Sequence, residues 1–91
     1  MGFWPDGAVT REVVEAALIQ PLRWRIEWCD GARRDASEGF GRTLPHGVLE
    51  SVPTRAKQRK IERGQERDKT WMFAYLRERD GELVLDLYEG P

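Results

Sequence analysis

Residues 71–76 and 83–88 are the most hydrophobic segments of the chain, and every second position in each is aliphatic. Between them lies the sequence Arg79-Asp80-Gly81-Glu82. Asp-Gly between two such segments is the strongest short-range signal of a β-hairpin with a two-residue turn. The predicted register pairs Arg79 with Glu82, Arg77 with Val84, Tyr75 with Asp86, and Phe73 with Tyr88.

Alternation gives the predicted hairpin one aliphatic and one aromatic face. The aliphatic face contains Met72, Ala74, Leu76, Leu83, Leu85 and Leu87. Six adjacent apolar side chains are most stable when removed from water, so this face is predicted to be core. The other face contains Trp71, Phe73, Tyr75, Arg77, Val84 and Tyr88. Its aromatic rings are either a second packing layer or a recognition surface, and the pattern allows both.

A second alternating segment covers residues 22–29, with Leu22, Trp24, Ile26 and Trp28 on one side. This period of two predicts a half-buried strand. Asp30-Gly31 favours a turn after it, and residues 32–41 are then either an edge strand or a mobile loop. Residues 41–53 contain two prolines and no clear period, and their backbone stays unassigned. Their apolar residues can cover part of the core: Leu44, Val48, Leu49 and Val52.

Two short helices are predicted from their capping residues. Thr10 is a suitable N-cap for residues 11–19, and Pro21 ends that segment. Its expected buried stripe is Val13, Val14, Ala17 and Leu18. Thr54 is a suitable N-cap for residues 54–63, and the helix either stops at Gly64 or continues past this glycine to Arg67. Phe3 and Trp4 precede a Pro-Asp-Gly turn signal and are expected to fold back onto the core or to contact a partner.

These elements predict an α+β fold in one small domain, residues 1–91. The expected sheet has three or four strands, is largely antiparallel, includes the C-terminal β-hairpin, and has two helices on one face. Its predicted centre consists of Trp24, Ile26, Trp28, Leu76, Leu85 and Leu87.

Composition supports a folded chain and an intracellular location. With 91 residues, 40% hydrophobic residues and four tryptophans, the chain suits one core. A lone cysteine, Cys29, cannot form an internal disulfide, which favours the cytoplasm. The sequence shows no secretory signal and no apolar run of membrane-spanning length, so no membrane association is expected. Twelve arginines against three lysines indicate a GC-rich genome, such as a bacterium or one of its phages.

Charge is unevenly distributed although the formal net charge is only −1. Residues 55–69 contain seven basic and three acidic side chains, so they carry +4, and the rest of the chain carries −5. Helical spacing aligns four arginines on one stripe: Arg55, Arg59, Arg63 and Arg67. Like charges four residues apart destabilise a helix by about 0.2 to 0.5 kcal/mol per pair. Either Glu62 and Glu66 neutralise the stripe within the helix, or it binds phosphates or an acidic protein surface.

Residues for catalysis or metal binding are scarce. His46 is the only histidine and Cys29 the only thiol, so a Cys-His nucleophile and a zinc site both lack side chains. Asp30, Asp35 and Glu38 form an acidic group that is most simply solvated. We therefore expect no enzymatic activity, no cofactor and no metal.

Two functions suit this chemistry. The first is a non-catalytic interaction module, such as an adaptor, inhibitor or immunity-like regulator, that binds a protein. Its expected contact residues are Trp71, Phe73, Tyr75, Arg77 and Tyr88, because aromatic residues and arginine are enriched at binding hot spots. The alternative is a nucleic-acid-binding regulator that uses the Arg stripe for phosphates and the aromatic face for bases. A homodimer through the free edge of the hairpin is also possible in this scheme.

Overall fold

Four strands and three helices make up the computed structural model, which describes residues 4–30, 32–65 and 71–90. In chain order they are α1 (Arg11–Ala17), β1 (Leu22–Asp30), β2 (Arg33–Gly41), α2 (Val48–Ser51), α3 (Arg55–Glu62), β3 (Trp71–Arg79) and β4 (Glu82–Gly90). All four strands belong to one sheet in the order β2-β1-β4-β3. The α+β prediction is confirmed.

The hairpin of β3 and β4 has the predicted register, from Arg79 opposite Glu82 to Phe73 opposite Tyr88. Asp80 and Gly81 both have positive φ angles, 52° and 78°. Two such residues in succession form the type I′ turn, whose twist matches that of the strands. The Asp-Gly pair thus fixes both the turn and the pairing.

Residues 33–41 form an edge strand, one of the two alternatives left open by the sequence. Strand β2 pairs antiparallel with β1 along its whole length. Gly39 lies opposite Trp24, and a Cβ atom at Gly39 would collide with the Trp24 indole ring. The glycine therefore makes room for a large ring to lie across the neighbouring strand.

The sheet is largely antiparallel, as predicted, but it is mixed: two of its three strand pairings are antiparallel and one is parallel. Strand β4 lies between β3 and β1, and it runs parallel to β1. This pairing aligns Trp24 with Leu85 and Ile26 with Leu87. A shared apolar surface on adjacent strands thus sets the register, although β1 and β4 are far apart in sequence.

The aliphatic side of the sheet, which we call the covered face, packs against α1, α2 and the segments beside them. The predicted central residues lie here: Ile26, Leu85 and Leu87 are buried, and Trp24, Trp28 and Leu76 pack around them. The apolar residues of the segment before α3 complete this core: Leu44, Val48, Leu49 and Val52. Leu83 is the exception on the hairpin, because it is 38% exposed.

Helix α1 ends two residues before its predicted limit and buries a narrower stripe. Val14 and Leu18 are buried, but Val13 is exposed, so the prediction for Val13 is wrong. Consecutive helical residues are about 100° apart, and a helix of two turns that directs Val14 to the sheet turns Val13 away. Thr10 occupies the N-cap position without a side-chain cap hydrogen bond.

Helix α3 is capped as predicted, since Thr54 Oγ1 accepts a hydrogen bond from the Lys57 amide at 3.2 Å. Gly64, just beyond the helix, has φ 74°. Ile61 of α3 packs on Trp71 and Phe73. Because side chains alternate along a strand, these two rings lie on the side of the sheet opposite the covered face. Helices therefore contact both faces of the sheet, and the expectation of helices on one face is wrong.

The first turn of α1 links the three helices. Arg11 donates from its side chain to the Val52 and Glu50 carbonyls, at 2.8 and 2.6 Å. The Glu12 carboxylate accepts the backbone N–H of Arg55, the first residue of α3, at 3.0 and 3.3 Å. These bonds satisfy carbonyls at the end of α2 and an N–H at the start of α3 that the helices themselves leave unpaired.

Candidate partner-binding face

The side of the sheet opposite the covered face is only partly occupied, and we call it the open face. Pairing across the sheet places one continuous set of side chains on it. From β2 to β3 they are Arg34, Ala36, Glu38 and Phe40, then Arg23, Arg25, Glu27 and Cys29, then Glu82, Val84, Asp86 and Tyr88, then Trp71, Phe73, Tyr75, Arg77 and Arg79. Charged side chains predominate on β1, and aromatic side chains are concentrated on β3.

One corner of the open face is a small second core. Trp71 and Phe73 are buried there, under Ile61 of α3 and Trp4. Trp4 meets the Phe73 ring edge-on at 5.3 Å, and its Nε1 donates to the Ala8 carbonyl at 3.2 Å. Of the five predicted contact residues, the structure places these two in the interior. Trp4 thus folds back onto the core, one of the two alternatives for Phe3 and Trp4; Phe3 lies outside the described residues.

The other three predicted contact residues lie together at the surface. The rings of Tyr75 and Tyr88 meet edge-on with centroids 5.8 Å apart. The Arg77 guanidinium lies 4.9 Å from the Tyr75 centroid and 5.7 Å from that of Tyr88, and it donates to the Tyr88 hydroxyl at 3.1 Å. Cation–π contact and a hydrogen bond therefore hold all three side chains in one arrangement.

Asp86 anchors this group, and the sequence analysis did not select it. It is only 3% exposed, and its Oδ2 accepts from Arg77 Nη1 at 3.0 Å and from Arg79 Nη2 at 2.9 Å. Hydrogen bonding to Tyr88, together with the nearby Asp86 carboxylate, raises the pKa of Arg77 above its usual value. In the sequence, Asp86 is recognisable as a lone acidic residue within an apolar strand. Because a buried carboxylate requires a cationic partner, this pattern indicates that an arginine lies beside it.

A groove of about 450 Å³ continues the open face beyond Asp86. Residues lining it include Arg23, Arg25, Glu38, Arg79 and Glu82. Arg23 pairs with Glu82 at 3.2 Å, next to the exposed ring of Phe40. The groove presents both signs of charge, which suits a polar, mixed-charge surface of a partner better than a purely anionic ligand.

The residues considered for catalysis lie apart. Cys29 is exposed on the open face, whereas His46 lines a cavity of about 370 Å³ beside α2, on the covered side. Asp35 forms an ion pair with Arg33 at 3.1 Å and lies on the opposite face from Glu38. Among the residues in the described ranges, no cluster of His, Cys, Asp and Glu could hold a metal ion.

The Arg stripe lies on the solvent side of α3. Arg55, Arg59 and Arg63 are exposed, on the other side of the helix from buried Ile61. Arg67 lies outside the described residues. Within residues 4–65 and 71–90, excluding Gly31, none of the three guanidinium groups forms an ion pair. Glu62 accepts from Gln58 at 3.3 Å and forms no ion pair with Arg59, so it does not neutralise the stripe as one alternative proposed; Glu66 lies outside the described residues.

No family model, curated protein or solved structure matches the chain. In the described part of the chain, the helices are too short to cross a membrane.

Proposed function

We propose that this protein is a non-catalytic interaction module that binds a protein partner through Tyr75, Arg77 and Tyr88. One observation carries the proposal: two tyrosine rings and an arginine stand at the surface in a fixed arrangement, held from below by buried Asp86. The role that fits is that of an adaptor, inhibitor or immunity-like regulator, encoded by a bacterium or a phage. The lone Cys29 favours a cytoplasmic location within the same proposal.

Preorganisation is the physical reason why this surface suits binding. An exposed arginine normally loses considerable side-chain entropy when a partner immobilises it. Arg77 already has a carboxylate, a hydroxyl and two rings around it. A partner that contacts Arg77 therefore orders little new structure, and tyrosine and arginine are the residue types that most often dominate interface energetics.

The experiment is affinity purification from the source cells after nuclease treatment, with wild-type bait beside Tyr75→Ala, Arg77→Ala and Arg42→Ala. Arg42 is an exposed arginine outside the open face, so it controls for loss of one surface charge. A protein partner is expected to bind wild type and the Arg42 variant equally. Truncation of a hot-spot residue costs about 2 kcal/mol or more, so the other two variants are expected to bind about 30-fold more weakly.

Circular dichroism of each variant accompanies the binding measurement. A partner that binds all four proteins with the same affinity would contradict the proposal, as would recovery of nucleic acid alone from an untreated extract.

A second candidate is a nucleic-acid-binding regulator, favoured by the Arg stripe. Three arginines spaced along one exposed helix face, without ion pairs among the described residues, are available to phosphates. On this hypothesis, log affinity falls with log salt, and Arg59→Ala reduces the slope by about one. Arg42→Ala is again the matched control, and an unchanged slope in the Arg59 variant would exclude the stripe as the phosphate contact.

A further inference from the structure

The two edges of the sheet differ in how they are protected. On the outer edge of β3, the Val9 N–H donates to the Ala74 carbonyl at 2.8 Å in an isolated antiparallel bridge. Strand β2 forms the other edge, and no described segment pairs with its outer side. The β3 edge thus has a bridge at Ala74, whereas the β2 edge has none among the described residues.

The ladder between β1 and β2 shows which backbone groups point outward. The Cys29 N–H donates to Glu89 Oε1, on the β4 side of β1, at 3.1 Å. Cys29 and Arg34 are opposite each other, so they form a non-hydrogen-bonded pair of the antiparallel ladder. Alternation then directs the N–H and C=O groups of Arg34, Ala36 and Glu38 away from β1, where a further strand can pair with them.

Strand β2 carries charged side chains, which normally discourage edge pairing, but it lacks several other protective features. Residues 33–41 contain no proline or lysine, and their pairing with β1 continues over nine residues without a bulge. Ala36, Ser37 and Gly39 are small, so no large side chain obstructs its middle. A long, regular edge of this kind is a template for another strand.

The side chains on the open face of β2 are self-complementary. If two copies pair antiparallel with a two-fold axis at Ala36, Arg34 of each copy lies opposite Glu38 of the other. Opposite charges at directly opposed positions stabilise strand pairing. A two-fold axis at Arg34 or at Glu38 would instead place that residue opposite its own copy, so like charges would face each other. An axis at Ser37 would place Glu38 opposite the uncharged Ala36. Charge thus selects one register.

Both charged groups are available for such pairing. Glu38 is exposed and has no hydrogen bond or ion pair with any residue in the described ranges. Arg34 is exposed and is held only by two long contacts among the described residues: its Nη1 lies 3.9 Å from Glu27 Oε1, at the limit of an ion pair, and its Nη2 donates to Cys29 Sγ at 3.8 Å.

We propose that β2 pairs antiparallel with β2 of a second copy of this chain, with the two-fold axis at Ala36. The product is a continuous eight-stranded sheet with both open faces on the same side. This inference is independent of the proposed function, because it concerns the strand edge and not Tyr75, Arg77 or Tyr88.

Charge exchange tests the proposal, with the dissociation constant of the full chain measured by sedimentation velocity over a wide range of concentration. Arg34→Glu and Glu38→Arg each place two pairs of like charges across the axis, so each is expected to weaken self-association about tenfold or more.

In a mixture of the two single variants, one copy carries two acidic side chains at these positions and the other copy two basic ones. Both pairs across the axis are then of opposite charge, so the mixture is expected to associate like wild type. The double variant R34E/E38R is expected to recover as well.

This design separates pairing between copies from effects within one chain. Arg34→Glu repels Glu27, and Glu38→Arg lies opposite Arg25, and both repulsions remain in the double variant. Recovery of association there can come only from the contact between copies. Arg42→Glu makes the same charge change just outside the strand and is expected to leave association unchanged.

A backbone variant provides a second test. Ala36→Pro removes an outward N–H without removing a hydrogen bond to β1, and is expected to give a folded monomer by circular dichroism. The proposal is overturned if wild type stays monomeric at every concentration, if the single variants associate like wild type, or if neither their mixture nor the double variant recovers.

Discussion

Strand β4 contributes to two faces of opposite character. Leu85 and Leu87 point to the covered face and are completely buried among aliphatic side chains. Asp86 lies between them in sequence, points to the open face, and is buried by two arginines whose side chains stay 41% and 55% exposed. The covered face therefore contributes most of the stability of the fold, whereas the polar network of the open face mainly fixes the positions of the side chains on that face.

The sharpest test of this division is Leu87→Ala. Leu87 is 0% exposed, and removing a buried leucine side chain leaves a cavity, so we expect a loss of about 2 to 5 kcal/mol in the free energy of unfolding. Leu83→Ala is the control on the same strand, because Leu83 is 38% exposed, and we expect it to cost about 1 kcal/mol or less. Urea denaturation measures both, and equal costs would show that the covered face is not the dominant core.

Asp86→Asn tests the open face with a smaller expected effect. The substitution keeps the shape of the side chain and removes its charge, and water can hydrate the exposed guanidinium groups of Arg77 and Arg79. We expect a loss of about 1 kcal/mol in the free energy of unfolding. Glu82→Gln, which loses a solvent-exposed pair with Arg23, is expected to cost less than about 0.5 kcal/mol. A cost for Asp86→Asn as large as that for Leu87→Ala would remove the distinction between the two faces.

The smallest expected effect concerns the bond that joins α1, on the covered face, to α3, beside the open face. The Glu12 carboxylate accepts hydrogen bonds from the backbone N–H of Glu12 and from that of Arg55. These bonds hold the pKa of Glu12 below its ordinary value. A carboxyl whose pKa is lower in the folded state stabilises the fold above its unfolded pKa, and this stabilisation is lost as the pH falls through the folded pKa.

Glu12→Gln is therefore expected to lower Tm slightly at neutral pH and to have no effect in strong acid. Thermal unfolding of both proteins across this range isolates Glu12 from the other carboxyl groups. A difference in Tm that does not change with pH would rule out this role of the carboxylate.

Local signals in the sequence predicted the hairpin well. Asp80 and Gly81 determine a two-residue turn, and the turn together with alternation determines every pair from Arg79 and Glu82 onward. The same register already places Asp86 diagonally from Arg77, so this part of the candidate site was within reach of the sequence. The cap at Thr54 was likewise predictable, because it depends on residues only three positions apart.

Contacts between distant segments account for most of what the sequence did not predict. The parallel pairing of β1 with β4 depends on matching two apolar surfaces about 60 residues apart, for which no turn signal exists. Burial of Trp71 and Phe73 depends on where Trp4 and Ile61 arrive from other parts of the chain. Helix α2 has only four residues and follows Gly47 at φ 82°, so it is too short to show a helical period.

The position of β4 between β1 and β3 also has a consequence for synthesis on the ribosome. Strands β1 and β2 can form their hairpin early, but the inner edge of β1 has no partner until residue 90 has been made. At elongation rates of roughly 5 to 20 residues per second, about 50 further residues take roughly 2 to 10 s. Throughout this interval, Leu22 and Ile26 lie beside an unpaired strand edge without Leu85 and Leu87, their partners in the finished core. The nascent chain is then most vulnerable to aggregation, and it becomes a complete sheet only when β4 emerges and inserts between its neighbours.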